Sequence, residues 1–196
     1  MSAPKIKRVE LKGLKTLNTN DGYAFNASIY INGKRAVLIH NGGTGGPNQY
    51  DWTPSGENPR YAHEEGSLPR LSSPLADAFR QWCVGHPATR AFVESMRKGD
   101  PDRGMTPIPD YEATCEVEDV VVEELINDYE EIRYIKRKSK TVVLFRTPDM
   151  TKAGEFRQVH HNGDAVGAIR WILKEFPDAR IYGHKHQPRS QGDSHE

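Results

Sequence analysis

Cysteine is scarce: Cys83 and Cys115 are the two found in 196 residues, too few for a disulfide framework or a four-cysteine zinc site. Long apolar runs are missing as well. No stretch approaches the roughly 18 apolar residues that a membrane-crossing helix needs. Hydrophobic residues make up 36% of the chain, against roughly 45–50% in a usual soluble protein, a reference that also counts glycine. The opening residues MSAPKIKRVELKG carry no apolar stretch of the kind a secretory signal requires. A cytoplasmic chain with no membrane partner is therefore the expectation. Signatures of chemistry are equally thin. The sequence holds no G-x-S-x-G, no H-E-x-x-H, no C-x-x-C and no Walker Lys-Ser/Thr after a glycine loop, which removes the usual marks of a nucleophile elbow, a zinc protease and a P-loop.

Net charge is also lacking, at zero, but the balance hides a strong segregation. Residues 1–40 carry seven Lys/Arg against two acids. Residues 111–131 hold nine acids and no Lys or Arg, and residues 132–160 swing back to eight bases against two acids. Local fields of either sign can steer a charged partner even where the whole chain is neutral.

What is present reads as sheet at both ends and helix between. Tyr23–Ile31 alternates Tyr23, Phe25, Ala27, Ile29 and Ile31 with smaller or polar residues, the period of a half-buried strand. Asn32-Gly33 follows, and an Asn-Gly pair between apolar runs predicts a tight hairpin, because both turn positions need positive φ. The return strand runs over Lys34–His40. Helices are predicted after Ser72-Ser73-Pro74 and after Pro87, the second stopping at Gly99. The longest helix is predicted over Glu116–Lys138, where Val117, Val121, Leu125, Tyr129 and Ile132 recur at helical spacing. Its acids lie early and its bases late, as the helix dipole favours, which gives a structural reason for the charge segregation. Strands at 141–146 and 155–160, a helix over 164–176 capped by Asp164, and a last strand at 179–182 complete the pattern.

These elements define an α+β fold with a single, mostly antiparallel sheet, one long helix and several shorter ones. The expected organisation is one domain over 1–183, with a Pro/Gly-rich irregular insertion at about 41–72. A disordered polar tail follows over 184–196. Nine of thirteen prolines fall between 47 and 109, and six of seventeen glycines between 42 and 66.

The candidate binding residues cluster at His40-Asn41-Gly42-Gly43-Thr44-Gly45-Gly46-Pro47-Asn48-Gln49-Tyr50-Asp51-Trp52. Glycine amides there can approach a ligand closely, and positive φ is open to Gly42, Gly43, Gly45 and Gly46. His40, Asn41, Asn48, Tyr50 and Trp52 supply hydrogen bonds and rings. A second candidate patch is Arg133, Lys136, Arg137 and Lys138, with Tyr134 interleaved, as a surface for nucleic acid. Histidines cluster at His160-His161 and at His184-x-His186; the i, i+2 spacing of the second can chelate a metal where both rings share a strand face, but no further ligands lie near either pair in sequence. Neither a metal nor a cofactor is expected. Cys83 reads as a buried structural thiol beside Trp82. Helices either side of Gly85-His86-Pro87 could pose as a helix-turn-helix, though with few bases.

One stretch carries a resemblance. AFNASIYINGKRAVLIHNGGTGGPNQY, with KTVVLFRTPDMTKAGEFRQVHHNGDAVGAIRWILKEFPDA in the second half, resembles a family of uncharacterised bacterial and phage proteins. The resemblance implies no established activity. It implies a phage or mobile-element origin, a setting in which small accessory proteins bind and block a host or rival machine. The reading that follows is a non-enzymatic binding protein whose 40–52 loop engages a protein or a nucleic acid. The alternative is a small enzyme acting on a phosphorylated or nucleotide substrate, with His40 as acid/base.

Overall fold

The computed structural model describes residues 4–52, 74–112, 117–152 and 154–184. The expected tail beyond His184, most of the 41–72 insertion, Cys115 and His186 lie outside the described residues. In chain order the elements are β1 (Val9–Asn18), β2 (Tyr23–Ile31), β3 (Lys34–Gly42), β4 (Gln49–Trp52), α1 (Pro74–Val84), α2 (Pro87–Lys98), α3 (Val117–Lys138), β5 (Val142–Arg146), β6 (Arg157–His160), α4 (Ala165–Glu175) and β7 (Arg180–Tyr182). A short 3-10 turn, Pro101–Arg103, follows α2.

The fold is α+β and every strand pairing is antiparallel, as the pattern predicts. The single sheet is not what forms. Strands β1-β2-β3-β4 make one sheet, and β6-β5-β7 make a second. The chain divides into two compact units, Met1–Tyr129 and Glu130–Glu196. The reason is visible in the residues: each sheet has an apolar face with its own helix partners, and each closes its own core.

In the first unit the turn at Asn32-Gly33 takes φ of 51° and 83°, joining β2 to β3 as the Asn-Gly pair dictates. Two register shifts then set the faces. One lies between Lys12 and Lys15, the other between Ile29 and Tyr30 on the β2–β3 ladder. In a regular strand Leu11 and Leu14 would face opposite sides. The first shift brings both inward, and both are buried. The second does the same for Ala36 and Val37. Leu17 is left outside at 68% exposure. Phe25, Ala27, Ile29, Ile31 and Ile39 complete the sheet side of this core, and Phe79 and Cys83 of α1 with Val117, Val121, Val122 and Ile126 of α3 complete the helix side. Thr89 of α2 donates its buried hydroxyl to the Cys83 carbonyl at 2.7 Å. The same carbonyl accepts from the His86 amide at 3.0 Å, so two donors close this end of α1.

The outer face of the same sheet is polar. Alternation places Lys12, Lys15, Asn26, Ser28, Tyr30, Leu38, His40, Gln49 and Asp51 there, and Lys12 Nζ sits 4.4 Å from the centre of the Tyr30 ring.

In the second unit β5 is the central strand. Val143 and Phe145 face Ile169 and Ile172 of α4, with Ile181 of β7 beside them. Asp164 caps α4, its carboxylate accepting from the Gly167 amide at 2.8 Å, as its position before the apolar run predicts. On the opposite face of β5, the ring of Tyr182 follows Leu144 across the ladder and meets Phe156, which in turn stacks on Tyr134 of α3.

Phe79 is fully buried between Trp52 and Trp82, at ring-centre distances of 5.7 and 6.0 Å. Phe79→Ala is expected to cost about 3–5 kcal/mol, read from the midpoint of urea unfolding. A loss below about 1 kcal/mol would mean that this ring is not central to the first core.

Candidate functional site

The glycine-rich segment is a hairpin rather than an open loop. Alternation along Gln49–Trp52 makes it strand β4, paired with β3 through His40↔Gln49, Ile39↔Tyr50, Leu38↔Asp51 and Val37↔Trp52. This pairing divides the residues the sequence grouped together. His40 lies on the outer face of the sheet. Tyr50 and Trp52 turn inward, Trp52 against Phe79 and Tyr50 against the core. The two rings expected to meet a ligand are packing groups.

The turn holds itself together. Asn41 Nδ2 donates to the Gly46 carbonyl at 3.0 Å and to Asn48 Oδ1 at 2.9 Å, while Asn41 Oδ1 accepts from the Gly43 amide at 2.8 Å. Thr19 Oγ1 donates to the Gly43 carbonyl at 2.8 Å. Two bonds reach α3: Tyr50 donates its hydroxyl to Asp119 Oδ1 at 2.5 Å, and the Asn48 amide donates to Asp119 Oδ2 at 3.3 Å. Asn41 and Asn48 are thereby committed to the fold. Thr44, Gly45, Gly46 and Pro47 remain exposed at the tip. Among the described residues their backbone amides make no hydrogen bond where an amide is present.

The glycines of this turn are not equivalent. Gly43 has φ of 73°, and a Cβ there would stand 2.7 Å from the Ala24 amide nitrogen and 2.8 Å from Thr19 Oγ1. Gly45 has φ of 78° with open space around it, and Gly42 and Gly46 are likewise unobstructed. Gly43 therefore serves the fold, while Gly45 is free to serve a ligand.

Titratable groups here are few. His40 Nδ1 lies 3.8 Å from Asp51 Oδ2, beyond hydrogen-bond reach, and both side chains are about 40% exposed. Burial, reinforced by the Asp119 carboxylate that accepts its hydrogen bond, pushes the Tyr50 hydroxyl well above the ordinary tyrosine value. Burial, with Glu118 nearby, likewise pushes the Cys83 thiol up. Neither is a nucleophile at neutral pH.

The second candidate patch lies in the second unit. Arg133, Lys136 and Arg137 are exposed on the last turns of α3, with Lys138 half-buried. Residues 40–52 belong to the first unit and 133–138 to the second.

Of the His184-x-His186 pair, His184 alone lies among the described residues. His161 and His184 do meet, ring centres 5.9 Å apart. The Gly163 amide donates to His161 Nδ1 at 3.1 Å, so the proton of a neutral ring sits on Nε2 and leaves no lone pair there for a metal. Among the described residues no group of three or more His, Cys, Asp or Glu is placed to hold a metal ion, and no helix is long and apolar enough to cross a membrane. Comparison with protein-family models, with curated proteins and with solved structures finds no match to this chain.

Three outcomes follow for this site. Gly43→Val is expected to destabilise by at least about 2 kcal/mol, through the clash as well as backbone strain, whereas Gly45→Val costs about 1–2 kcal/mol from strain alone. Equal losses in a urea titration would contradict the difference in space at the two positions. Tyr50→Phe, which takes the phenol away from Asp119, is expected to cost about 1–3 kcal/mol.

The third outcome is a pH dependence. Cys83 and Tyr50 are held protonated in the fold and ionise freely when unfolded, near pH 8.5 and 10 respectively. Their contribution is complete below those values and is lost as pH rises above them. Unfolding midpoints measured from pH 7 to about 11 should fall, and fall less steeply above pH 10 in Tyr50→Phe.

Proposed function

We propose that the chain is a non-enzymatic binding protein that engages a protein or nucleic-acid partner through the 40–52 hairpin. The observation that carries this reading is a turn braced from within, with its tip left open. Asn41, Asn48, Thr19 and the Tyr50–Asp119 bond fix the hairpin, while Thr44-Gly45-Gly46 offers exposed backbone. A loop ordered before it binds loses little conformational entropy on binding, which favours recognition by shape and backbone hydrogen bonds. The contact is narrower than the sequence suggests. Its active part is the 44–47 tip with His40, Gln49 and Asp51 on the adjoining sheet face, and Tyr50 and Trp52 support it from behind.

The enzyme alternative asks His40 to act as acid/base. Its carboxylate neighbour is Asp51 at 3.8 Å, and both are open to water, a looser arrangement than the oriented pairs that move protons in catalysis. The phage or mobile-element setting comes from the sequence resemblance, and in that setting the partner would be part of a host or rival machine.

The test uses Gly45→Asn, which adds a side chain where asparagine tolerates positive φ. Tagged wild-type and variant chains are compared by capture from the native host, followed by identification of bound protein and nucleic acid. A partner held by wild type and lost from Gly45→Asn, with unfolding midpoints alike, supports the hairpin. Partners retained in full by the variant would end the reading. His40→Gln separates the classes: an enzyme using His40 would lose turnover about 100-fold or more, and a binder would not.

A further inference from the structure

We propose that the second unit carries a nucleic-acid site, in which Arg180, Arg146 and the last turn of α3 grip the phosphates of a strand. This rests on the reading of the chain as a binding protein but names a different surface and commits to a partner.

Three observations converge. Arg146 on β5 and Arg180 on β7 are direct cross-strand partners on one face of the second sheet. Like charges opposite one another on a ladder repel, and among the described residues no carboxylate pairs with either one. Second, the two guanidiniums are held in place by what surrounds them. Arg146 Nη2 donates to the Lys152 carbonyl at 2.6 Å, and its guanidinium sits 6.0 Å from the Phe156 ring centre. Arg180 sits 5.3 Å from the Tyr182 ring centre, and those two rings meet edge to face at 5.0 Å. Third, the aromatic row continues. Tyr134 stacks on Phe156 at 6.0 Å, and Arg137 and Lys138 each lie 5.9 Å from the Tyr134 ring centre.

The result is a row of three rings lined with four cations. Ring faces attract cations and keep them ordered, so the donors are arranged before a ligand arrives. An anion between Arg146 and Arg180 would convert their repulsion into a pair of forked, charge-assisted hydrogen bonds, the geometry that arginine makes with phosphate. A small anion would satisfy one such pair. A row of cations on separate elements suits a polymer with regularly spaced phosphates. A membrane suits it less, because Tyr134, Phe156 and Tyr182 are half-buried in the unit and are not free to insert among lipids.

The probe is a mixed-sequence oligonucleotide, single-stranded and as duplex, titrated by fluorescence anisotropy over a series of salt concentrations. Binding is expected to weaken steeply with salt, since each neutralised phosphate releases counterions. Arg180→Ala and Arg137→Ala are each expected to lower affinity about ten-fold and to reduce the salt slope by roughly one phosphate contact. Arg170→Ala, the same charge change on the exposed outer side of α4, is the control and should leave binding intact. No salt-dependent binding to either oligonucleotide overturns the site. So does an equal effect of Arg170→Ala and Arg180→Ala, or binding to phosphatidylserine vesicles in preference to nucleic acid.

The hairpin variant keeps the two ideas apart. Nucleic-acid binding that Gly45→Asn does not change supports this site, whatever becomes of the hairpin. A chain that captures its partner through the hairpin yet binds no oligonucleotide keeps the first reading and loses this one.

Discussion

The hydrogen bond from Tyr50 to Asp119 joins two segments 69 residues apart in sequence, and much of the first unit depends on it. It ties β4 to the first turn of α3, and Asp119 also receives the Asn48 amide. Once β4 is docked there, Trp52 lies against Phe79 and closes one side of the core. The carboxylate is well placed, because negative charge near a helix N-terminus is favoured by the helix dipole. A phenol buried beside a carboxylate stays protonated, and it donates a hydrogen bond to that carboxylate. The glycine turn is thus positioned by contacts made by its flanks, and its tip is spared from structural duty.

Much of the fold was legible because it is local. Asn32-Gly33, the Asp164 cap, the Gly99 stop and the helical stripe of α3 each depend on a few neighbouring residues, and each forms where the pattern puts it. What was not legible is what depends on pairing at a distance. Nothing in TVVLFR says whether it joins the first sheet or begins another, since a buried strand reads alike in both. Strand β4 was hidden for a related reason. It is four residues long, sits beside prolines and glycines, and becomes a strand through its ladder with β3.

The candidate site was legible in part. The glycine turn is where the sequence placed it, but its two rings were assigned to a ligand when their parity along β4 sends them to the core. A period of two along Gln49–Trp52 puts Tyr50 and Trp52 on the same face as Ile39 and Val37. In the second unit, Arg133–Lys138 stood out as a charge run with Tyr134 inside it. Arg146, Phe156, Arg180 and Tyr182 did not, because each is isolated in sequence and the row appears when β5, β7 and α3 come together. The acidic stretch before this region serves the start of α3, so the swing of charge along the chain is partly helix architecture and partly surface.

The register shift in β1 matters beyond its role in turning Leu14 inward. Among the described residues β1 is the outer strand of its sheet, and long regular edges invite a neighbouring molecule to add a strand of its own. Here the edge is broken near its middle, and Lys12 and Lys15 flank the break. A second chain laid alongside would lose step within a few residues and meet two positive charges. The shift thereby acts as a guard against fibrous self-assembly. It also makes strand donation by a partner an unfavourable way to dock on this side of the sheet.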